Sequence, residues 1–262
     1  MKSTSFFKIL FSILAVFLLI LAGIFFISDS EEVINIVNQN IVLVSLEKVF
    51  DPGILKWKLV TAEAPFAKRD AHNVVVFKEK LWIFGGVGGV APDYTKNYSD
   101  VWSSEDGINW TLVTEHANWL PRKGFGSVVF DNKMWVFGGV AIYGVVNDVW
   151  SSEDGINWTL VTEHASWYER YDLAVELFLG KMWLSGGILP GEMGAKEVWY
   201  SENGFDWRKA DKEIMWPGRH GHCFISYNNY LWVIGGWSGY GHGYNDVWYS
   251  KDGLTWNELY KD

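Results

Sequence analysis

The chain has 262 residues, 49% of them hydrophobic and 17% aromatic, with 17 Trp, 27 Gly and only 6 Pro. That is material for a sizeable folded core and excludes a disordered chain. The formal net charge of −9 argues against nucleic acid, where binding depends on neutralising phosphates. The single cysteine, Cys223, excludes an internal disulfide framework and leaves the redox compartment open.

In chain order, the first feature is Ile9 to Ile27, a stretch without charge whose one polar side chain is Ser12. At about 1.5 Å rise per residue it nearly crosses a hydrocarbon core of about 30 Å. Lys2 and Lys8 precede it, and Asp29, Glu31 and Glu32 follow. The positive-inside rule therefore puts the N-terminus in the cytoplasm and the remainder outside. Residues 1–28 are expected to be a transmembrane anchor, with a cleaved signal and a secreted chain as the alternative. Either way the rest is exported, to a periplasmic or extracellular space. Residues 29–56 form a linker. Val33 to Val49 shows no clean period, and Asp51-Pro52-Gly53 marks a turn that closes it.

From residue 57 onward one aromatic cassette recurs four times. Its Gly-Gly pairs are Gly85-Gly86, Gly138-Gly139, Gly186-Gly187 and Gly235-Gly236. The Trp pairs that follow are Trp102/Trp110, Trp150/Trp158, Trp199/Trp207 and Trp248/Trp256. A period of 48 to 53 residues in a β-rich pattern belongs to propellers rather than helical solenoids. From the last Trp of one copy to the strand Trp of the next is always 25 residues, as Trp110 to Trp135, and the two downstream Trp are always 8 apart. Only the segment after Gly-Gly varies, at 20, 15, 16 and 16 residues from Trp82, Trp135, Trp183 and Trp232 to the next Trp.

Each copy predicts four short strands, labelled A to D: in the first, about His72 to Phe77, Leu81 to Phe84, Val101 to Ser104 and Trp110 to Thr114. Lys78-Glu79-Lys80 and its counterparts make tight A–B turns. Asp106-Gly107, Asp154-Gly155, Asn203-Gly204 and Asp252-Gly253 are expected to supply positive φ between C and D. The fold class is thus all-β, with four four-stranded blades at about 66–114, 119–162, 167–210 and 216–260, plus an extra D-type strand at 57–60. Whether four blades close into a ring is left open. Asp100 to Ala117 and Asp148 to Ala165 are the same 18 residues, which recent duplication explains.

The run of Arg69-x-x-His72, an apolar strand, Leu81-Trp82-Ile83-Phe84-Gly85-Gly86 and later Asn147-Asp148-Val149-Trp150 resembles the kelch repeat, including bacterial exported types related to the galactose oxidase propeller. The likeness spans 57–262, with Trp where strand C usually has Tyr. It implies that the Arg of each aromatic-x-x-Arg unit begins the innermost strand, near a channel mouth. A copper radical site of the galactose oxidase kind cannot be placed on these residues.

In a four-stranded meander the B–C and D–A loops share one end, and binding groups concentrate on varied loops held by a rigid scaffold. The D–A loops supply Phe66/Arg69, Trp119/Arg122, Trp167/Arg170 and Trp216/Arg219. Arg with Trp suits carboxylate and sugar or peptide recognition; the competing structural reading pairs each Arg with an acid of the neighbouring blade. The B–C loops supply Tyr94, Tyr98 and Tyr143, and in the fourth copy Trp237, Tyr240, His242 and Tyr244. His72 and His222 are channel-lining candidates. His220, His222 and Cys223 lack further ligands at metal spacing, so no metal and no cofactor are expected, and Cys223 is expected to be buried. Glu105-Asp106 and Glu153-Asp154 are turn residues rather than a calcium site. The expected role is a membrane-tethered binding module for a protein or carbohydrate on the B–C/D–A face. The alternatives are an exported sugar-modifying enzyme, such as a sialic acid isomerase-like protein, and a structural envelope subunit. A homo-oligomer or partner-assisted ring closure is also anticipated.

Overall fold

The structure, a computed structural model, describes residues 32–37, 40–45, 58–89, 96–210, 212–239 and 241–259. These belong to two units, Met1–Lys58 and Leu59–Asp262. In the first, β1 (Glu32–Val37) pairs antiparallel with β2 (Asn40–Ser45). The undecided linker segment therefore contains a hairpin, for which its Val and Ile residues are suited. The anchor expected at 1–28 lies outside the described residues, as do Trp57, Tyr94 and Tyr240. Among the described residues no helix is long and apolar enough to cross a membrane.

The second unit is all-β. Blade 1 begins with β3 (Asn73–Phe77) and β4 (Lys80–Phe84). Its B–C connection carries a small hairpin of β5 (Val87–Gly88) and β6 (Lys96–Asn97), and β7 (Val101–Ser104) and β8 (Thr111–Thr114) complete it. Blade 2 has β9 (Arg122–Lys123) paired to the end of its second strand. Its meander is β10 (Gly126–Phe130), β11 (Lys133–Ala141), β12 (Gly144–Ser152) and β13 (Thr159–Thr162). Blade 3 is β14 (Ala174–Phe178), β15 (Lys181–Ser185), β16 (Val198–Ser201) and β17 (Arg208–Lys209). Blade 4 is β18 (Cys223–Tyr227), β19 (Tyr230–Trp237), β20 (Gly243–Ser250) and β21 (Asn257–Glu258). Every blade is an antiparallel A-B-C-D sheet, as the cassette predicts. Lys58–Val60 form no strand, so the extra D-type strand is absent from the described part of 57–60.

Turn chemistry differs from expectation in one respect. Both central residues take positive φ at the A–B turns, Lys78-Glu79, Asp131-Asn132, Leu179-Gly180 and Asn228-Asn229, the mirror-image turn that matches strand twist. Between C and D only the glycines do so. There the Asp side chain shapes a longer loop: Asp106 Oδ1 accepts from the N–H groups of Ile108 and Asn109 at 2.8 and 2.7 Å, and Ser104 Oγ accepts from Gly107 N–H at 2.8 Å. The same pattern recurs at Asp154, Asn203 and Asp252. These N–H donors hold the Asp106 carboxyl well below the usual carboxylate range. Its lone pairs are already used by the loop, which is why no ion is needed to explain it.

Blades stack through three seams, each with its own buried cluster. Seam 1/2 gathers Phe84, Trp119, Phe125, Met134 and Trp158; seam 2/3 gathers Phe137, Trp167, Leu173 and Trp207; seam 3/4 gathers Trp183, Trp216, Phe224 and Trp256. In each, a D–A loop Trp meets a D-strand Trp edge to face: Trp119–Trp158 at 5.8 Å, Trp167–Trp207 at 6.0 Å and Trp216–Trp256 at 4.6 Å. The offset of ring quadrupoles favours this geometry. Backbone bonds clip the seams together. Gly86, Gly139 and Gly187 donate N–H to the carbonyls of Arg122, Arg170 and Arg219 at 2.9, 2.8 and 2.9 Å. Gly124, Asp172 and Gly221 donate to Ala71, Gly124 and Asp172, making a chain of bonds along the inner rim that does not return from Gly221 to Ala71. The 18-residue duplicate thus occupies two environments: Trp158 is 5% exposed within seam 1/2, whereas Trp110, with no blade before it, is only half-buried against Phe66.

Candidate functional site

The four D–A arginines are scaffold. Arg122 donates from Nε to Leu120 O at 3.0 Å, from Nη1 to Gly138 O at 2.9 Å and to Asp148 Oδ1 at 2.6 Å, and from Nη2 to Asp148 Oδ2 at 2.8 Å. Asp148 Oδ2 also accepts from Trp150 Nε1 at 2.7 Å. The acid-Val-Trp tripeptide of the cassette is therefore the receptor for the Arg of the same repeat. The structural reading anticipated an acid of the neighbouring blade; the partner is in the Arg's own blade. Arg69–Asp100 and Arg219–Asp246 repeat the fork–fork pairing. Arg170 reaches Glu197 through Nη2 alone at 2.8 Å, and Lys209 supplies the other contact. Burial pushes the Glu197 carboxyl up, yet hydrogen bonds from Lys209, Arg170 and Trp199 outweigh it and hold the pKa at about 2. Arg122, Arg170 and Arg219 are 0% exposed, and Trp119, Trp167 and Trp216 at most 1%. With every guanidinium face and indole covered, these six side chains present nothing to a ligand. Arg69 is equally engaged, its side chain 1% exposed.

The histidines are also placed differently. His222 is 7% exposed, and neither ring nitrogen has a hydrogen-bond partner. It fills the slot that Phe125 and Leu173 fill in blades 2 and 3, against the Gly-Gly backbone of Gly186 and Gly236. Burial, then the charges of Arg219 and His220, pull its pKa down to about 3, so it is a neutral packing group. His72, its counterpart in blade 1, is half-buried, with its pKa lowered by burial and Arg69. Cys223 is exposed rather than buried, because it begins β18 on the face of blade 4 that no blade covers. Among the described residues no group of three His, Cys, Asp or Glu is placed to hold a metal.

The groups the loop face does offer follow directly after the buried arginines. Asp70, Lys123, Tyr171 and His220 occupy one equivalent position, each pairing its backbone with the extension of strand B, at Val87, Val140, Ile188 and Trp237 respectively. The backbone role is constant while the side chain is different in all four. Burial raises the pKa of Asp172, which lies next to Tyr171 and 3.9 Å from His220 Nδ1, against the lowering effect of the His220 and Lys123 charges. The sequence carries the signal: directly after an Arg that is the same in all four copies stand four different residues, Asp70, Lys123, Tyr171 and His220. Around this rim stand exposed side chains of the B–C and D–A loops, Tyr143 at 86%, Tyr168 at 69% and Trp237 at 51%, with His242 also exposed. Two backbone bonds at 3.0 Å between Trp237 and His220 pin the base of the fourth loop to the rim. Tyr244 instead covers Arg219, 4.7 Å from its guanidinium carbon to the ring centre. Tyr240 lies outside the described residues.

No family model and no curated protein matches the chain. Among solved structures it is similar to that of YjhT, with a TM-score of 0.61 and 19% identity over 72% of this chain and 70% of that one. At that identity the likeness carries the fold, a β-propeller arrangement of four-stranded blades, and nothing about a ligand.

Proposed function

We propose that the chain is a kelch-type, membrane-tethered and exported binding module that recognises a protein or a glycan on its B–C/D–A loop face. The observation that carries the reading is the inner rim: Asp70, Lys123, Tyr171 and His220 share one backbone position and no side chain. Scaffold positions repeat because every blade meets the same packing demands. A position on the loop-bearing rim that keeps its backbone bonds while offering an acid, an ammonium, a phenol and an imidazole suits contact with an irregular ligand. Trp237, Tyr143 and Tyr168 supply the amphipathic stacking surface such sites use. The tether rests on the Ile9 to Ile27 sequence. The test is binding of the full-length chain in detergent to an array of neutral and acidic oligosaccharides and to an extract of envelope proteins. Tyr171→Ala with Trp237→Ala should weaken any captured ligand at least tenfold, about 1.4 kcal/mol. Capture unchanged in that double variant would remove the face from consideration.

A second reading, a sugar-modifying enzyme, has one observation in its favour. Asp172 and His220 form a mixed acid–base pair next to Tyr171 and Lys123, the kind of arrangement that moves protons. His222, the earlier candidate, has no access to a substrate. Turnover of a sugar lost in His220→Gln while binding persists would select this reading; loss of neither would end it.

A further inference from the structure

The open side of blade 4 and the open side of blade 1 are the two halves of one seam. Along each inner strand, odd positions face the following blade and even positions the preceding one. Glu176, third in β14, accepts a hydrogen bond at 3.2 Å from Ser226, fourth in β18. A Cβ placed on Gly126, first in β10, would sit 3.4 Å from the Cβ of Val175, second in β14. On blade 4 the odd positions are uncovered: Cys223 is exposed, Ile225 is 43% and Tyr227 71% exposed. On blade 1 the even positions are uncovered, Val74 at 52% and Val76 at 66%.

The larger fittings match too. In each internal seam a strand-B Trp packs over the C–D glycine of the next blade, where a Cβ would overlap its ring: Trp82 over Gly155, Trp135 over Gly204 and Trp183 over Gly253. Blade 4 presents Trp232, half-buried, with no glycine beneath it, and blade 1 presents Gly107, where a Cβ would meet only Leu81 at 3.4 Å. The backbone clips correspond as well. The seam donors Gly86, Gly139 and Gly187 have Gly236 as their blade 4 counterpart, and the acceptor carbonyls of Arg122, Arg170 and Arg219 have that of Arg69.

We propose that the blade 4 face docks on the blade 1 face of a second copy of this chain, forming a fourth seam between molecules. The ends differ, so the contact is heterologous: reciprocal docking closes a ring, and any other geometry extends a head-to-tail chain. The occupant is a second copy because the two faces complement each other residue by residue in the register of three seams already present in the molecule. Among the described residues no other pair of surfaces offers the Trp knob and the glycine socket. The contact does not depend on which ligand the loop face takes.

Oxidative cross-linking of the full-length chain in detergent tests it. In the seam register Cys223 faces Val74, and the 3.4 Å Cβ separation at the equivalent pair Gly126 and Val175 is close to the roughly 3.5–4.5 Å a disulfide spans. Val74→Cys should therefore yield covalent pairs or a ladder joined through positions 74 and 223, at least tenfold faster than Leu179→Cys, a control on an exposed turn. Val74→Cys with Cys223→Ser should yield none. Equal rates for Val74→Cys and the control, no cross-link, or a bond within one chain would each overturn the proposal. A second measurement covers the event that Val74→Cys fails to fold. The mass of the wild-type particle, after subtraction of bound detergent, should exceed one chain and fall to one chain in Ile225→Glu. A wild-type monomer, or association unchanged by Ile225→Glu, would count equally against it.

Discussion

Seams 1/2 and 3/4 are built on the same backbone plan but filled differently. In seam 1/2, Phe84 and Phe125 stack at 5.9 Å within an aromatic group that includes Trp119 and Trp158. In seam 3/4 the equivalent positions hold Ser185 and His222, both buried, and neither the Ser185 hydroxyl nor the His222 ring nitrogens have a hydrogen-bond partner. Buried polar groups without partners cost free energy, of order 1–3 kcal/mol each. The seam plan is therefore held by features outside this slot: the Arg–carboxylate fork, the Trp pair and the glycine clips. The slot is free to vary, and in seam 3/4 it has become sensitive to protons.

Five substitutions test this division between shared plan and variable slot. The largest effect comes from the shared feature. Arg122→Ala and Arg219→Ala each leave a largely buried aspartate without its guanidinium, and each should lower stability by about 3–5 kcal/mol, measured by urea unfolding. Nearly equal losses are expected, because the fork is alike in both seams; a much smaller loss at Arg219 would show that seam 3/4 is held differently. Next, Phe125→His transplants the polar slot into seam 1/2. It should cost about 2–3 kcal/mol and give that seam the acid response of the other.

The third effect is that acid response itself. The folded-state pKa of His222 is about 3 against an ordinary 6.5, so the unfolded chain takes up the proton first. The neutral ring's contribution is complete above pH 6.5 and is lost as pH falls from there toward 3, at about 1.4 kcal/mol per pH unit. His222→Phe should flatten the stability profile between pH 6.5 and 5. Glu197, depressed from 4.5 to about 2, loses its contribution only below about 4.5, so it does not enter the His222 response above that pH and overlaps it only below. An unchanged slope above pH 5 in His222→Phe would mean that the titrating group lies elsewhere. The smallest effect is a baseline outside both slots. Leu179 takes φ 49° and is 63% exposed, so Leu179→Asn should stabilise by about 0.5–1 kcal/mol. Calorimetry should show a higher Tm with the same pH profile.

Much of the architecture was legible in the chain because repetition amplifies weak signals. Val101–Ser104 was placed to the residue, and β3 and β4 within one, since turn residues and Trp spacing recur four times. The arginines were harder. A sequence shows an Arg near a Trp but not that Asp148 waits 26 positions later to receive it, and burial inverted the meaning of six candidate residues. Cys223 is exposed for a related reason: its position is covered in blades 2 and 3, and among the described residues no blade packs on that side of blade 4. The rim residues Asp70, Lys123, Tyr171 and His220 are harder to read because repetition marks what blades share, and at this position the side chains share nothing.

The duplicated segment gives the molecule an internal reference. Asp100 to Ala117 and Asp148 to Ala165 have identical composition, propensity and turn chemistry, so they respond identically to everything intrinsic to those 18 residues. Within one chain, the copy at Asp148 has a blade in front of it and the copy at Asp100 has none among the described residues. In a chain held monomeric by Ile225→Glu, a difference in amide exchange between Leu112 and Leu160, or between the indoles of Trp110 and Trp158, therefore reports the neighbouring blade together with the strand each copy pairs with. A repeat protein usually yields that quantity only after redesign; here a gene duplication has already made the paired sample.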